Sequence, residues 1–208
     1  MKLQRIRIGE KEVMPFTIPS GILMTDIRCA ERMLRRIPEI GIWTTKSIGV
    51  NERIVPERDE VDNPIEGKEY GFRESVFAQV DENTFVNAVR LTNPGKDKMR
   101  ENLLAANIPK DRVINASVFG GTVGEFVSVI KTLEDVVDCF EGNFSCPHSE
   151  KGGMAIGIDP KAVYEFTRAC VSATRKPFIA KLSPNTNLIY ECTKAAYEAG
   201  AFGVALIT

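Results

Sequence analysis

The amino-acid sequence predicts an α/β protein, a β/α (TIM) barrel of which this chain carries about six of the eight strands. Three observations predict it. From residue 112 onward, short runs rich in β-branched residues alternate with amphipathic segments, and no hairpin signal separates one strand from the next. That rhythm belongs to a parallel sheet with helical crossovers. Neither GxGxxG nor GxxxxGK followed by Ser or Thr comes after a predicted strand, so the phosphate-loop versions of the doubly wound sheet lose weight. Polar residues gather at the predicted strand C-termini: Ser20, Lys46, Ser117, Asn143 with Cys146, and Lys181. In a barrel those ends share one face, where active sites are built.

The elements follow in order. "EVMPFTIPSG" reads as a short strand closed by Pro-Ser-Gly, and "TDIRCAERMLRRIPEIG" as a helix with Thr25 or Asp26 as N-cap and Pro38 near its end. "IWTTKSIGV" is a second strand, rich in β-branched residues. Residues 51–86 carry many acids with Pro56, Pro64, Gly67 and Gly71, and read as a long irregular excursion. A segment of that length inside a compact domain is usually functional or mobile. A helical pattern resumes in "NPGKDKMRENLLAANI". "RVINASVF" is a strand, "TVGEFVSVIKTLED" a helix, and "VDCFEGNFS" a strand. "DPKAVYEFTRACVSATRK" is a helix opened by Asp159 as N-cap with Pro160 in its first turn. Its apolar face is Val163, Phe166, Ala169, Cys170 and Ala173. "PFIAKLS" is the fifth strand. "NTNLIYECTKAAYEAG" is a helix ended by Gly200, and "FGVALIT" is the sixth strand. Residues 1–208 read as one barrel domain that lacks its C-terminal part, with no signal of a second-domain boundary.

With 43% hydrophobic and 26% charged residues, the chain has an ordinary globular composition. Its formal net charge of −1 supplies no general field for nucleic acid or an acidic membrane. No apolar run is long enough to span a bilayer, and the N-terminal residues lack a signal-peptide core, so a cytoplasmic protein is expected. The five cysteines lack CxxC spacing, which argues against a disulfide framework or a metal site. Cys139, Cys170 and Cys192 read as small buried hydrophobes. Cys146 differs, because it follows a strand, precedes a proline and stands two residues from His148, the chain's one histidine. On the residues alone it is either a buried thiol or a reactive one.

The segments "NFSCPH", "KGGMAIGIDP" and "AKLSPN", with "TTKS", "VNAVRLTNPG" and "EAGAFGVALI", resemble the soluble class of dihydroorotate dehydrogenases and their relatives the dihydropyrimidine dehydrogenases. The likeness runs from about residue 14 to the last residue. It implies an FMN-binding β/α barrel that oxidises dihydroorotate to orotate in pyrimidine biosynthesis. Such chemistry removes two hydrogens from adjacent carbons, so it needs a base for the proton and a flavin for the hydride.

The resemblance also implies roles residue by residue. Cys146 would be the base, its thiol suited by an ordinary pKa of about 8.5. Asn143 would hydrogen-bond the pyrimidine and contact the flavin, offering both donors and an acceptor, whereas alone it reads as a turn former. Asn87 would be a second substrate amide, within the pocket segment Asn87, Ala88, Val89, Arg90 and Leu91. Lys46 would touch flavin and substrate. Lys181 would lie by the flavin ring, where a cation stabilises negative charge on the reduced form. Ser20, Gly21, Ser47, Ser117 and Ile207 would contact the flavin.

Several positions depart from the pattern. Arg90 replaces a glycine of the "NAxGL" segment. His148 stands where the orotate enzymes usually carry Asn, while the dihydropyrimidine dehydrogenases also read "SCPH". Residues 51–86 are longer than expected. The chain ends at the sixth strand, so the expectation is a barrel lacking its C-terminal part, completed by another chain or by homo-oligomerisation, with an electron-transfer subunit as a possible partner. The alternatives are a dihydropyrimidine dehydrogenase-like enzyme acting on uracil or thymine, and a non-catalytic, flavin-free barrel fragment.

Overall fold

The structure, a computed structural model, describes residues 3–21, 27–53, 56–58, 64–69, 77–87, 91–145 and 154–206. The chain opens with a hairpin of β1 (Ile6–Ile8) and β2 (Lys11–Val13), followed by β3 (Phe16–Ile18), α1 (Ile27–Arg36) and β4 (Ile40–Thr44). Five short strands come next: β5 (Glu52–Arg53), β6 (Pro56–Arg58), β7 (Pro64–Glu69), β8 (Phe77–Gln79) and β9 (Phe85–Asn87). Then come β10 (Asn93–Pro94), α2 (Lys96–Ala105), β11 (Val113–Val118), α3 (Val123–Leu133) and β12 (Cys139–Asn143). The remainder is α4 (Met154–Gly157), α5 (Pro160–Ala173), β13 (Phe178–Leu182), α6 (Ile189–Glu198) and β14 (Gly203–Leu206).

Strand order decides the architecture. The six-stranded sheet runs β3, β4, β11, β12, β13, β14, every pair parallel, so each barrel strand lies beside the next one in the chain. A doubly wound sheet reverses direction at a switch point; here no reversal occurs. The sheet curls as part of a β/α barrel, as its rhythm predicts. Among the described residues β3 and β14 are the outermost strands, each paired on one side.

The helices form where their caps allow. Thr122 accepts from the Glu125 amide while the Glu125 carboxylate accepts from the Thr122 amide, a reciprocal capping box that opens α3. Asp159 caps α5 through the Lys161 amide at 3.0 Å, with Pro160 in the first turn as predicted. At the end of α6 Gly200 takes φ +97°, and the Ala201 amide donates to the Ala196 carbonyl at 3.0 Å. Val163 and Cys170 of α5 are buried as expected, with Thr167 between them. The predicted N-caps Thr25 and Asp26 lie outside the described residues.

Hairpins occur where none was expected. In "RIRIGEKEV" Gly9 adopts φ +57°, and Gly9-Glu10 joins Ile8 to its partner Lys11. A two-residue loop of that kind needs a left-handed residue that glycine supplies at little cost. The 51–86 excursion likewise contains antiparallel pairs, β6 with β7 and β8 with β9, instead of irregular chain throughout. Its base is a neck in which β5 pairs antiparallel with β10.

Two cores result. The larger lies between sheet and helices and includes Trp43, Phe126, Phe140, Phe144 and Phe178. The smaller lies at the N-terminal ends of the strands, where Ile8 and Val13 of the hairpin pack on Ile42, Val113 and Cys139. Lys11 Nζ ties the hairpin to Asp138 Oδ2 and the Arg112 carbonyl, both at 2.7 Å. No helix among the described residues is long and apolar enough to cross a membrane.

Candidate active site

Side chains of a strand alternate between faces. One face of each barrel strand meets the helices; the other belongs to the barrel interior and changes character along its length. At the bottom it is the apolar cluster closed by the hairpin. Further along, the same face carries Thr44, Asn115, Ser117, Glu141 and Asn143, all buried, with Lys181 nearly so. Cys139 Sγ donates to Asn115 Oδ1 at 2.9 Å, and Asn115 Nδ2 donates to Thr44 Oγ1 at 3.1 Å. Burial pushes the Cys139 thiol pKa up, and the charges of Glu141 and Asp138 push it further.

The polar end of β4 is shaped by a break in its ladder. The Thr45 amide donates to the Asn115 carbonyl and the Ile48 amide to the Ser117 carbonyl, both at 2.9 Å. Three steps along one strand therefore match two along the other, which is a bulge, a feature common beside active sites. The Ser117 amide, left without a carbonyl, donates to Thr45 Oγ1 at 3.1 Å. The bulge carries Lys46 and Ser47, both buried, at the strand's C-terminal end.

Ser47 is the hub of what lies there. Its Oγ accepts from Asn143 Nδ2 at 2.9 Å and lies 2.9 Å from Ser117 Oγ and 3.3 Å from Ser20 Oγ. Asn143 Oδ1 in turn accepts from the Ser145 amide at 3.3 Å and from Ser145 Oγ at 2.9 Å. Asn143 stands in register with Lys181 on the neighbouring strand. Lys181 Nζ lies 3.4 Å from Glu141 Oε1, the side chains 14% and 10% exposed.

Ser20, Ser47, Ser117 and Asn143 thus join one hydrogen-bonded network, Lys46 sits beside Ser47, Lys181 adjoins Asn143, and Gly21 follows Ser20. Leu91 is buried, and its carbonyl accepts from Asn93 Nδ2 at 2.9 Å. Asn93 Oδ1 accepts from the Gly49 and Gly95 amides at 3.1 and 2.9 Å, so one buried amide ties the excursion's return to the end of β4. Asn87 is the last residue of β9. Cys146, His148, Ala88, Val89, Arg90 and Ile207 lie outside the described residues. Beside the network, a cleft of about 350 Å³ opens between the chain after β4 and the chain after β11, lined by Gly49, Asn51, Arg53, Phe119 and Gly121 among others.

Six residues of the arrangement were not singled out from sequence: Thr44, Thr45, Asn93, Asn115, Glu141 and Ser145. Glu141 had a legible signal, since it precedes Asn143 by two positions in an apolar strand and so shares its face. Thr45 serves the Ser117 amide, 72 positions away, and Asn93 adds the distant Gly49 amide to two local contacts, with the Leu91 carbonyl and the Gly95 amide.

A family model described as dihydroorotate dehydrogenase matches residues 66–208. The chain belongs to the dihydroorotate dehydrogenase family. Among curated family members, proteins named dihydroorotate dehydrogenase B (NAD(+)), catalytic subunit, are similar to it along most of its length. That of Pyrococcus horikoshii is 37% identical over 196 residues, covering 93% of this chain and 57% of the relative. That of Pyrococcus abyssi is 36% identical over 202 residues, covering 96% and 60%. That of Thermoplasma volcanium is 35% identical over 195 residues, covering 93% and 58%. The chain therefore spans under two thirds of the length of these dihydroorotate dehydrogenase relatives.

Proposed function

We propose that this chain is the larger part of an FMN-dependent dihydroorotate dehydrogenase, oxidising dihydroorotate to orotate in cytoplasmic pyrimidine biosynthesis. One observation carries the reading: the polar network at the strand C-termini holds the donors and the cation that a flavin and a cyclic imide require. A fit test on the side chains supports it. Among the described residues Lys181 Nζ makes no hydrogen bond, only the 3.4 Å ion pair, so an ammonium with three donors is left for an acceptor-rich ring. Asn143 keeps a second amide hydrogen beyond the one given to Ser47.

Ser20, Gly21, Lys46, Ser47, Ser117, Asn143, Lys181 and Ile207 would hold the cofactor. Bound there, FMN supplies the two-electron acceptor for turning a C–C single bond into a double bond. The chain's residues do the rest. Cys146 takes the proton from the substrate carbon, and Asn143 and Asn87 orient the imide edge through paired donors and acceptors. Lys46 meets the substrate carboxylate as an opposite charge held out of water, and the segment from Ala88 to Leu91 lines the pocket. The barrel's last two units, with the flavin phosphate site they usually form, would come from sequence or a chain beyond these six units, and an electron-transfer subunit would serve as partner. The relatives' designation as catalytic subunits supports that last point.

His148 favours a second reading, a dihydropyrimidine dehydrogenase-like enzyme, because the "SCPH" pattern occurs there too. One experiment separates these readings. The FMN-loaded protein is mixed anaerobically with dihydroorotate or dihydrouracil, and flavin bleaching is followed. The orotate reading expects bleaching by dihydroorotate, slowed about 10²-fold or more in Cys146→Ala with flavin still bound, the scale for loss of a general base. Equal rates in Cys146→Ala remove the base assignment. Bleaching by dihydrouracil alone selects the second reading, and a protein that takes up no FMN even when joined to the units that complete its barrel is the flavin-free fragment.

A further inference from the structure

Glu141 is the one interior carboxylate among the described residues of the six barrel strands, and its setting is unusual for a charged group. It is 7% exposed, and among the described residues its Oε1 accepts no hydrogen bond. Lys181 Nζ lies 3.4 Å from that atom. The two come from adjacent strands, Glu141 level with Ile179 and Lys181 one pleat nearer the C-terminal mouth, level with Asn143. A buried carboxylate that lacks hydrogen bonds contributes little to stability, and replacing such a pair by apolar groups is often neutral. A carboxylate placed beside a network of hydroxyls and amides, with an ion pair to Lys181 as its contact, points to a role beyond packing.

We propose that Glu141 is a positioning residue acting through Lys181, its carboxylate balancing the lysine's charge and so setting how strongly that charge acts on the group bound at the mouth. The inference rests on the FMN reading and deepens it. A lysine alone at a flavin favours the reduced, more negative form. With Glu141 behind it, the local sum is close to zero, and the flavin is not driven toward reduction by an uncompensated cation. The Cys139 thiol lies one pleat below Glu141 on the same strand; burial above all, and then the Glu141 charge, raise its pKa.

The test measures the two-electron midpoint potential of bound FMN by equilibrium reduction against a reference dye. Glu141→Gln keeps the shape and removes the charge; the reduction equilibrium constant is expected to rise about tenfold, equivalent to about 30 mV. Lys181→Met should move it in the opposite direction. The double variant Glu141→Met/Lys181→Met removes both charges together and should return to within about threefold of the wild-type constant, because the local charge sum is again close to zero. It also remains informative if Glu141→Gln fails to fold. A double variant as displaced as Lys181→Met, or a Glu141→Gln potential unchanged or lowered, overturns the role of Glu141 while leaving the flavin reading intact. Failure of the wild type, joined to the sequence or chain that supplies its last two barrel units, to bind FMN in a fluorescence-quenching titration overturns both.

Discussion

The amide of Ser117 is served by a side chain in place of a strand carbonyl, at the bulge that carries Lys46 and Ser47. Thr45 Oγ1 accepts that amide at 3.1 Å because the β4 bulge carries the nearest carbonyl out of reach. Thr45 and Ser117 are both fully buried, so no water replaces the contact. Thr45→Val keeps the shape and deletes the acceptor, leaving a buried N–H unpaired at a cost of about 1–3 kcal/mol. Thr45→Ser should recover most of the loss. Urea midpoints of the three proteins check this, and a Thr45→Val protein as stable as wild type would mean that the bulge closes without the hydroxyl. The same residue shows what sequence conveys at this scale. "TTKS" was readable as the end of a strand, and Lys46 and Ser47 as its polar tip. That Thr45 mends the bulge was not readable, because its partner is 72 positions away.

At the scale of elements, the short helix α4 does for the motif "KGGMAIGIDP" what the caps do for the longer helices. A Cβ on Gly157 would sit 2.2 Å from the Phe144 carbonyl oxygen and 3.1 Å from the Ser183 amide nitrogen. Both neighbours are backbone, at the ends of β12 and β13, the strands that carry Asn143 and Lys181. Gly157→Ala must therefore push α4 off those two strand ends, with an expected destabilisation of about 1–3 kcal/mol or more. A Gly124→Ala control should cost far less, since a Cβ there meets only Thr122 Oγ1 at 4.0 Å. Thermal midpoints of the pair decide it; equal shifts would show that α4 moves freely. The barrel strands and long helices were legible because period and capping agree, as with Asp159 and Gly200. The β1–β2 hairpin was missed although Gly9 carries its signal, since three-residue strands are too short for alternation to register. The pairs within 51–86 were missed because proline and acidic residues hid them.

Considered whole, the molecule buries three of its five thiols in two separate cores, and this gives it a predictable weakness in alkali. Cys139 lies in the inner cluster beneath the polar network, whereas Cys170 of α5 and Cys192 of α6 lie in the outer core, all three fully buried. Burial raises each thiol pKa, that of Cys170 from 9.0 to about 12. The sign follows from proton counting. Between those two values the unfolded chain has lost the Cys170 proton and the folded chain has kept it, so the unfolded state binds fewer protons and stability falls as pH rises. Below pH 9.0 the contribution is constant; from there to about pH 12 it declines by up to about 1.4 kcal/mol per pH unit. Tyrosines and lysines titrate in the same range, so the comparison must isolate the thiol. Cys170→Ala removes it with a small packing loss, and the stability difference between wild type and variant should be flat from pH 7 to 8.5. Above pH 9 that difference should shift in favour of the variant, because only the wild type carries a thiol whose ionisation draws it toward the unfolded state. Urea titrations at half-unit pH steps measure it. A difference that stays constant through pH 10.5 would mean that the Cys170 environment admits the thiolate, and that the outer core between α5 and the sheet is wetter than its packing indicates.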